Sequence, residues 1–357
     1  MPPRTEIGID GSDFRINGAP TYAGRWHEGR RIEGLLLNSR MVQAIFDDAN
    51  PRTRPNWAYP DTGIWDPDRN TRELCAMLPV YRAHGLLAIT VGLQGGGSIY
   101  RPEIFEHYRN SAFTPEGELE PAYLERLLRV LEAADRSGMV VIVNYFYRKQ
   151  QRFQDDAAVC RATEAATQWL LESGHRNILV DIKNEIREAD DILSSRGIHR
   201  LLDIARSTTQ DGRRLLVATS THPEKHLPDG SWPALCDFFM PHGNNSEPDD
   251  FRRELLAFRE EPVVAERARP ICCNEDSIHV ASLDAAIDAG ASWGYYDQGY
   301  GSVGYHGRHD WSARDREADH AELSGFQTVP VNWSINTAHK RAFFDRVKEV
   351  TGAGATP

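Results

Sequence analysis

Short apolar runs recur along the chain, and amphipathic stretches with polar turns separate them. The apolar runs read as strands within 34–46 (GLLLNSRMVQAIF) and at Leu86–Leu93, Met139–Tyr145, Ile178–Ile182, Leu215–Thr219, Phe238–Met240, Ile271–Cys273 and Ala291–Tyr296. The stretches between them carry a helical period. Helices are predicted over Thr71–His84, from Pro121 to Gly138, and over Asp156–Glu172, Gly197–Thr208, Trp232–Cys236, Asp249–Arg259, Ser282–Gly290 and Asn336–Val350. The helix that opens at Pro121 has the clearest signals. Leu124, Leu127, Leu128 and Leu131 recur at i, i+3, i+4 and i+7, Pro121 sits in the first turn, and Gly138 stops it. Strand–helix alternation of this kind indicates a parallel sheet, and eight such units close a ring. The expected fold is α/β, a (β/α)8 TIM barrel in one domain over residues 1–357.

Two departures from the repeat shape this expectation. Residues 7–21 hold two turn signals, Asp10-Gly11-Ser12 and Asn17-Gly18, and predict a small β-hairpin ahead of the barrel. Residues 47–70 form a long loop rich in Pro, Asp and aromatics. Polar residues gather just after each apolar run, which in this architecture is the catalytic rim.

Composition narrows the choice of partner. The net charge is −11, and no Lys/Arg run suggests a nucleic-acid face. An acidic surface also disfavours anionic membranes and polyanions. The five cysteines have no zinc-site spacing, and Cys272-Cys273 lie in an apolar run, so a reduced compartment is expected. Residues 1–6 lack an apolar signal-peptide core, and no stretch reaches the roughly 18 apolar residues of a membrane span. These features lead us to expect a cytoplasmic protein that binds neither nucleic acid nor membrane.

The chemistry centres on two carboxylates. Glu185 follows ILVDIKN at the end of the fourth barrel strand, and Glu275 follows ICCN at the end of the seventh. In a closed eight-stranded barrel these strands face each other across the mouth. A pair of this kind suits glycoside hydrolysis, where one carboxyl protonates the leaving oxygen while the other attacks the anomeric carbon. A lone Glu after a strand serves equally well as a helix cap or an Arg partner, but two at these positions favour catalysis.

With Asn184 before Glu185, Glu275 after strand seven and Trp293 on strand eight, the chain resembles the clan A barrel glycosidases that include family-5 cellulases and mannanases. The resemblance implies a retaining mechanism with Glu185 as acid/base, Glu275 as nucleophile and Asn184 as a donor to the sugar 2-hydroxyl. It also implies Trp293 as a subsite floor and an opening hairpin that includes Ile16-Asn17-Gly18. Clan members often carry His-x-Tyr after strand six. Here His242 matches and the Tyr does not, with Tyr295 and Tyr145 as candidate replacements. Gln94 and Asn244 complete the expected substrate contacts, and one Trp of the first long loop (Trp57 or Trp65) is a further subsite candidate. Of Arg25, His27 and Arg40 near strand one, one is expected at the mouth. The expected partner is a carbohydrate, with no metal or organic cofactor.

Two other functions fit the same residues. Glu185, Glu275, His222, His242 and Asp297 could hold a divalent cation, as in barrel sugar isomerases. A carbohydrate-binding barrel without catalysis would explain the missing strand-six Tyr. Gln94-Gly95-Gly96-Gly97 lacks the Lys-Ser/Thr of a phosphate loop and reads as a tight rim turn. No Gly-x-Ser-x-Gly elbow is present.

Overall fold

The computed structural model describes residues 3–96, 107–147, 150, 152–187, 191–221, 232–244, 246–298, 320–321 and 325–354. Gly97 and His222, picked out from the sequence, lie outside these.

The chain opens with β1 (Ile7–Asp10), β2 (Asp13–Ile16) and β3 (Ala19–Pro20), an antiparallel meander with one strand more than the expected hairpin. A small hairpin, β4 (Trp26–His27) and β5 (Arg30–Arg31), follows. The barrel strands are β6 (Asn38–Arg40), β7 (Ala88–Gly92), β8 (Val140–Phe146), β9 (Ile178–Lys183), β10 (Leu216–Ala218) with β11 (Ser220–Thr221), β12 (Met240–Pro241) and β13 (Gly294–Tyr295). Six of them form one parallel sheet in the order β10-β9-β8-β7-β6-β13. Beyond β13 the pairing continues through single bridges. Ser292 pairs with Cys272 and Ile271 with Phe239, and β12 then pairs with β11. Strand seven is therefore a pair of bridges around Ile271–Cys272 rather than a ladder. The circuit has the eight positions expected of a barrel.

The helices form the outer layer: α1 (Pro67–Ala83), α2 (Pro121–Arg136), α3 (Asp156–Glu172), α4 (Ile198–Ser207), α5 (Trp232–Leu235), α6 (Pro248–Glu260), α7 (Pro262–Ala265), α8 (Val280–Asp288) and α9 (Ala338–Thr351). Helix α1 begins four residues earlier than its apolar pattern suggested. Asp66 caps it by accepting from the Arg69 N–H, with Pro67 in the first turn. The short α7 has no counterpart in the predicted elements. Helix α2 has the expected bounds but a rotated face. It buries Tyr123, Leu127, Val130 and Leu131, while Leu124 and Leu128 are only half-buried. The Tyr123 hydroxyl donates to the Asp47 carbonyl at 2.9 Å, and the Arg126 Nε donates to the Ile45 carbonyl at 3.3 Å. These rim contacts turn the helix toward the first long loop.

That loop carries its own small core. Phe46, Trp57, Tyr59, Trp65, Tyr108 and Val329 are buried together. The Trp57 indole donates to Asp48 and the Trp65 indole to Asp47. Neither Trp is presented as an open sugar platform. The segment between the meander and β4 is also joined to α9. Arg25 donates from Nε to the Val350 carbonyl at 2.8 Å and from Nη2 to the Glu349 carbonyl at 2.9 Å. Among the described residues no helix is long and apolar enough to cross a membrane.

Candidate active site

The fourth strand ends in a bulge. From the Asp181–Ala218 pair to the Ile186–Thr221 bridge, strand four advances five residues and strand five advances three. The surplus is taken up around Asn184 and Glu185, and Glu185 adopts φ +55°. Few residues other than glycine take this left-handed conformation, and bulges of this kind re-aim side chains beside active sites.

Glu275 approaches from the opposite wall. Its carboxylate forms an ion pair with Arg40, Nε to Oε2 2.9 Å, and accepts a hydrogen bond from Asn244 Nδ2 at 2.9 Å. A carboxylate only accepts, so the Asn244 amide must present its nitrogen here. That leaves the Asn244 Oδ1 buried without a partner. Arg40 also donates from Nη2 to Asn184 Oδ1 at 2.7 Å, which ties the base of the Glu185 bulge to the partner of Glu275.

His242 lies between the two acids. Its Nδ1 is 3.3 Å from Glu185 Oε1 and 3.6 Å from Glu275 Oε2, and its Nε2 is 3.0 Å from Asn274 Oδ1. Both ring nitrogens thus face acceptors, which suits the imidazolium form. Burial opposes charge on His242, but Glu275 and then Glu185 outweigh it and hold its pKa above the ordinary imidazole value. Burial likewise opposes the Arg40 charge, and Glu275 leads the groups that reverse it. A ligand atom from each of Glu185, His242 and Glu275 lies within 4.8 Å of the others, and among the described residues these three are the group that could hold a cation. Arg40 and a charged His242 already occupy that carboxylate field with positive charge, which disfavours a further cation. Asp297, a candidate ligand from the sequence, instead accepts from the Tyr295 hydroxyl at 2.7 Å.

A buried layer lies below the pair. Asp181 accepts from Asn144 Nδ2 at 3.0 Å and from the Ser220 hydroxyl at 3.1 Å. Burial pushes its pKa up to about 6, although His242 and Arg40 pull against the shift. Lys183 is buried beside Glu185, donates to the Asn184 carbonyl, and is pushed down to about 8 by burial.

The structure brings Glu185, Glu275, Asn184, His242 and Asn244 together, but three of the expected contacts are placed elsewhere. Trp293 is buried against Phe343 of α9, and its indole donates to Asp276 at 2.8 Å. Tyr295 stacks on the same Phe343 with centroids 4.4 Å apart. Tyr145 shares a hydrogen bond with Thr167 of α3. All three face the helix layer, because alternate residues of a strand point to opposite sides. Gln94 is a rim tie. Its Nε2 donates to Ser111 Oγ at 3.0 Å, and it lines a cavity of about 230 Å³ with Arg109, Phe113 and Phe153. Of the three basic residues near strand one, Arg40 enters the mouth, Arg25 binds α9, and His27 lies 3.8 Å from Glu28.

Two tyrosines that the sequence places in the aromatic rim, without favouring either as a substrate contact, lie at the mouth. Tyr296 is buried beneath the Arg40 guanidinium, 5.5 Å from its ring centroid, within the electrostatic reach of Glu275. Tyr147 lies near both Arg40 and Tyr296. For Tyr296 the available signal was strand parity, since it is one residue beyond Tyr295. Tyr147 shares the parity of Tyr145 but lies just past the end of β8, where the strand's alternation no longer applies. Tyr147 also packs so closely on Gly95 that a Cβ there would fall 2.1 Å from its ring, which requires glycine at that rim turn.

No family model matches the chain, and no curated protein matches it. Solved structures do. A GH5-4 broad-specificity endoglucanase from Bacteroides salanitronis aligns with TM-score 0.54 and 12% identity, over 90% of this chain and 94% of that one. A family-5 mannosidase from Rhizomucor miehei aligns with TM-score 0.52 and 12% identity, over 98% and 97%. The exo-β-1,4-mannosidase Op5Man5 from an Opitutaceae bacterium aligns with TM-score 0.55 and 13% identity over 97% of this chain. The chain spans 62% of that mannosidase, and 54% of a longer Bacteroides vulgatus chain that it also matches. The chain therefore has the barrel fold of the family-5 glycoside hydrolases.

Proposed function

We propose that this protein is a retaining glycoside hydrolase acting on β-linked sugars. The observation that carries the reading is the convergence of Glu185 and Glu275 across the mouth, with an oxygen of each within 4.8 Å of the other. Retaining enzymes hold their carboxyls about 5–5.5 Å apart, and inverting ones leave roughly 6.5–9.5 Å for a water.

In this reaction Glu275 attacks the anomeric carbon while Glu185 gives its proton to the departing oxygen. The bond to Glu275 forms as the glycosidic C–O bond breaks. Glu185, now a carboxylate, then takes a proton from water, and the water oxygen displaces Glu275. Arg40 and Asn244 support the ionised nucleophile as cation and donor. The Asn184 oxygen is taken by Arg40, which leaves its amide N–H groups as donors for a sugar hydroxyl. The bulge presents Glu185 toward the same carbon from the other side. Glu185 is also more exposed than Glu275 (19% against 7%), as a group that must meet both leaving group and water requires. The exo-β-1,4-mannosidase that shares the fold is specific by name for a β-linkage, which supports a β-linked substrate.

The test is turnover of a panel of aryl β-glycosides by wild type, Glu275→Ala and Glu185→Gln. A 2-deoxy-2-fluoro glycoside should leave its sugar on the Glu275 peptide, read by mass spectrometry. Glu185→Gln should keep kcat/KM and the first-turnover burst on dinitrophenyl glycosides, whose leaving group needs no proton, while kcat falls because the glycosyl-enzyme loses the base for its hydrolysis, and it should lose kcat/KM on poorer leaving groups. Equal turnover by wild type and Glu275→Ala would remove Glu275 as nucleophile.

A further inference from the structure

Strand five breaks where it passes Glu185. β10 ends at Ala218, β11 begins at Ser220, and Thr219 lies in neither. At the break the Ser220 N–H donates at 2.9 Å to the side chain of Asp181. The Ser220 hydroxyl accepts from the Glu185 N–H at 3.0 Å, and the Ser220 carbonyl accepts from the Ile186 N–H at 3.0 Å. One serine thus holds two consecutive amides of the bulge. The hydroxyl proton has two acceptors in reach, Asp181 Oδ2 at 3.1 Å and the Lys183 carbonyl at 3.2 Å. Asp181 and Ser220 are fully buried, so water does not replace these bonds.

A left-handed non-glycine residue persists only where its surroundings over-determine it. For Glu185 those surroundings are Ser220 on the two amides and Asp181 behind Ser220. We infer that Ser220, anchored by Asp181, is the positioning residue of the acid/base: it fixes the bulge that aims the Glu185 carboxyl at His242 and Glu275. The inference rests on the assignment of Glu185 as proton donor. Ser220 touches no reacting atom, and its effect passes through the Glu185 backbone.

The experiment uses the full-length protein with Ser220→Ala and Ser220→Thr, checked for folding by thermal melting. Losing the hydroxyl strands a buried amide, an effect of roughly 5- to 150-fold if expressed fully in the proton-transfer step. The expected result depends on the leaving group. Ser220→Ala should lose at least about 10-fold in kcat/KM on 4-nitrophenyl or alkyl glycosides and stay within about 3-fold of wild type in kcat/KM on 2,4-dinitrophenyl glycosides, since kcat/KM reports the step in which Glu185 gives its proton. Ser220→Thr, which keeps the hydroxyl, should restore most of the loss. A general structural defect would slow both substrate classes alike, and that outcome, or no loss on either, overturns the inference. A crystal structure of Ser220→Ala gives a second readout without catalysis. Relaxation of Glu185 to negative φ with loss of the His242 contact supports the inference. An unchanged bulge with the contact intact overturns it. If wild type turns over no glycoside, the proposed activity fails, and the Ser220→Ala structure alone decides whether Ser220 shapes the bulge.

Discussion

Replacing Arg40 with Met removes the one guanidinium bonded to both halves of the site. The side chain is 1% exposed, ion-paired with Glu275 at 2.9 Å and bonded to Asn184 at 2.7 Å. Methionine keeps the apolar length and leaves a buried carboxylate with only Asn244 and His242 as partners. Breaking one side of a buried pair typically destabilises by about 3–5 kcal/mol. Unfolding entropy of about 2.1 cal/mol/K per residue gives, for 357 residues, about 0.75 kcal/mol/K. The melting temperature should then fall by about 4–7 °C. kcat/KM should fall at least about 100-fold, since both the nucleophile and the amide beside the acid lose their anchor. The decisive measurement is a double-mutant cycle with Glu275→Gln. If the cost is the unpaired charge, Arg40→Met should destabilise far less when Glu275 is already neutral, with a coupling of about 1–3 kcal/mol. Additive effects in calorimetry, or a single mutant as stable as wild type, would refute the reasoning.

Further predictions concern the surrounding residues. Asn244→Ala removes a hydrogen bond to a charged carboxylate, normally about 1.5–3 kcal/mol, so kcat/KM on aryl glycosides should fall by about 10- to 150-fold. His242 has a raised pKa in the folded protein, so its protonation stabilises the fold below about pH 6.5. That contribution is lost as pH rises through the folded value. Chemical denaturation should therefore show His242→Gln losing more stability relative to wild type at pH 6 than at pH 9, and the reverse order would contradict the site's electrostatics. All five cysteines are free, and burial pushes the thiols of Cys75 and Cys236 up to about 11 and about 12. A thiol reagent at pH 7.5 should label Cys75 and Cys160 slowly and Cys236, Cys272 and Cys273 only after unfolding. Fast labelling of the last three in the folded protein would show that the core is not closed around them.

Much of the architecture was legible because a parallel barrel repeats one local pattern. Asp156–Glu172 was readable to the residue, since an acidic cap and an apolar stripe bound it at one end and Gly174 follows it at the other. Strand seven was readable as a position though not as a ladder, because three apolar residues mark a place in the ring without fixing its pairing. The two glutamates and His242 stood at strand ends, where the backbone delivers them to the mouth regardless of detail. Orientation was harder to read. Aromatic density suggested Trp293, Tyr295 and Tyr145, yet a one-residue change of phase sends a side chain to the opposite face of a strand. The missing strand-six tyrosine had a local answer in Asn244, two residues past His242. Arg40 could not be separated from Arg25 and His27, because all three are cations near strand one and only burial distinguishes them. The Glu185 bulge left no sequence signal, since it arises from pairing between strands.

The Arg25 clasp on α9 also bears on how the barrel is made. It joins positions 325 residues apart, and its acceptors are the last carbonyls of a helix, where a cation also meets the negative end of the helix dipole. A contact of that sequence span forms late in folding, because the intervening loop must be closed first. During vectorial synthesis Arg25 therefore emerges long before α9 and waits for it. Phe14, which packs edge-on against Phe238, likewise lacks that partner until the sixth strand region has been made.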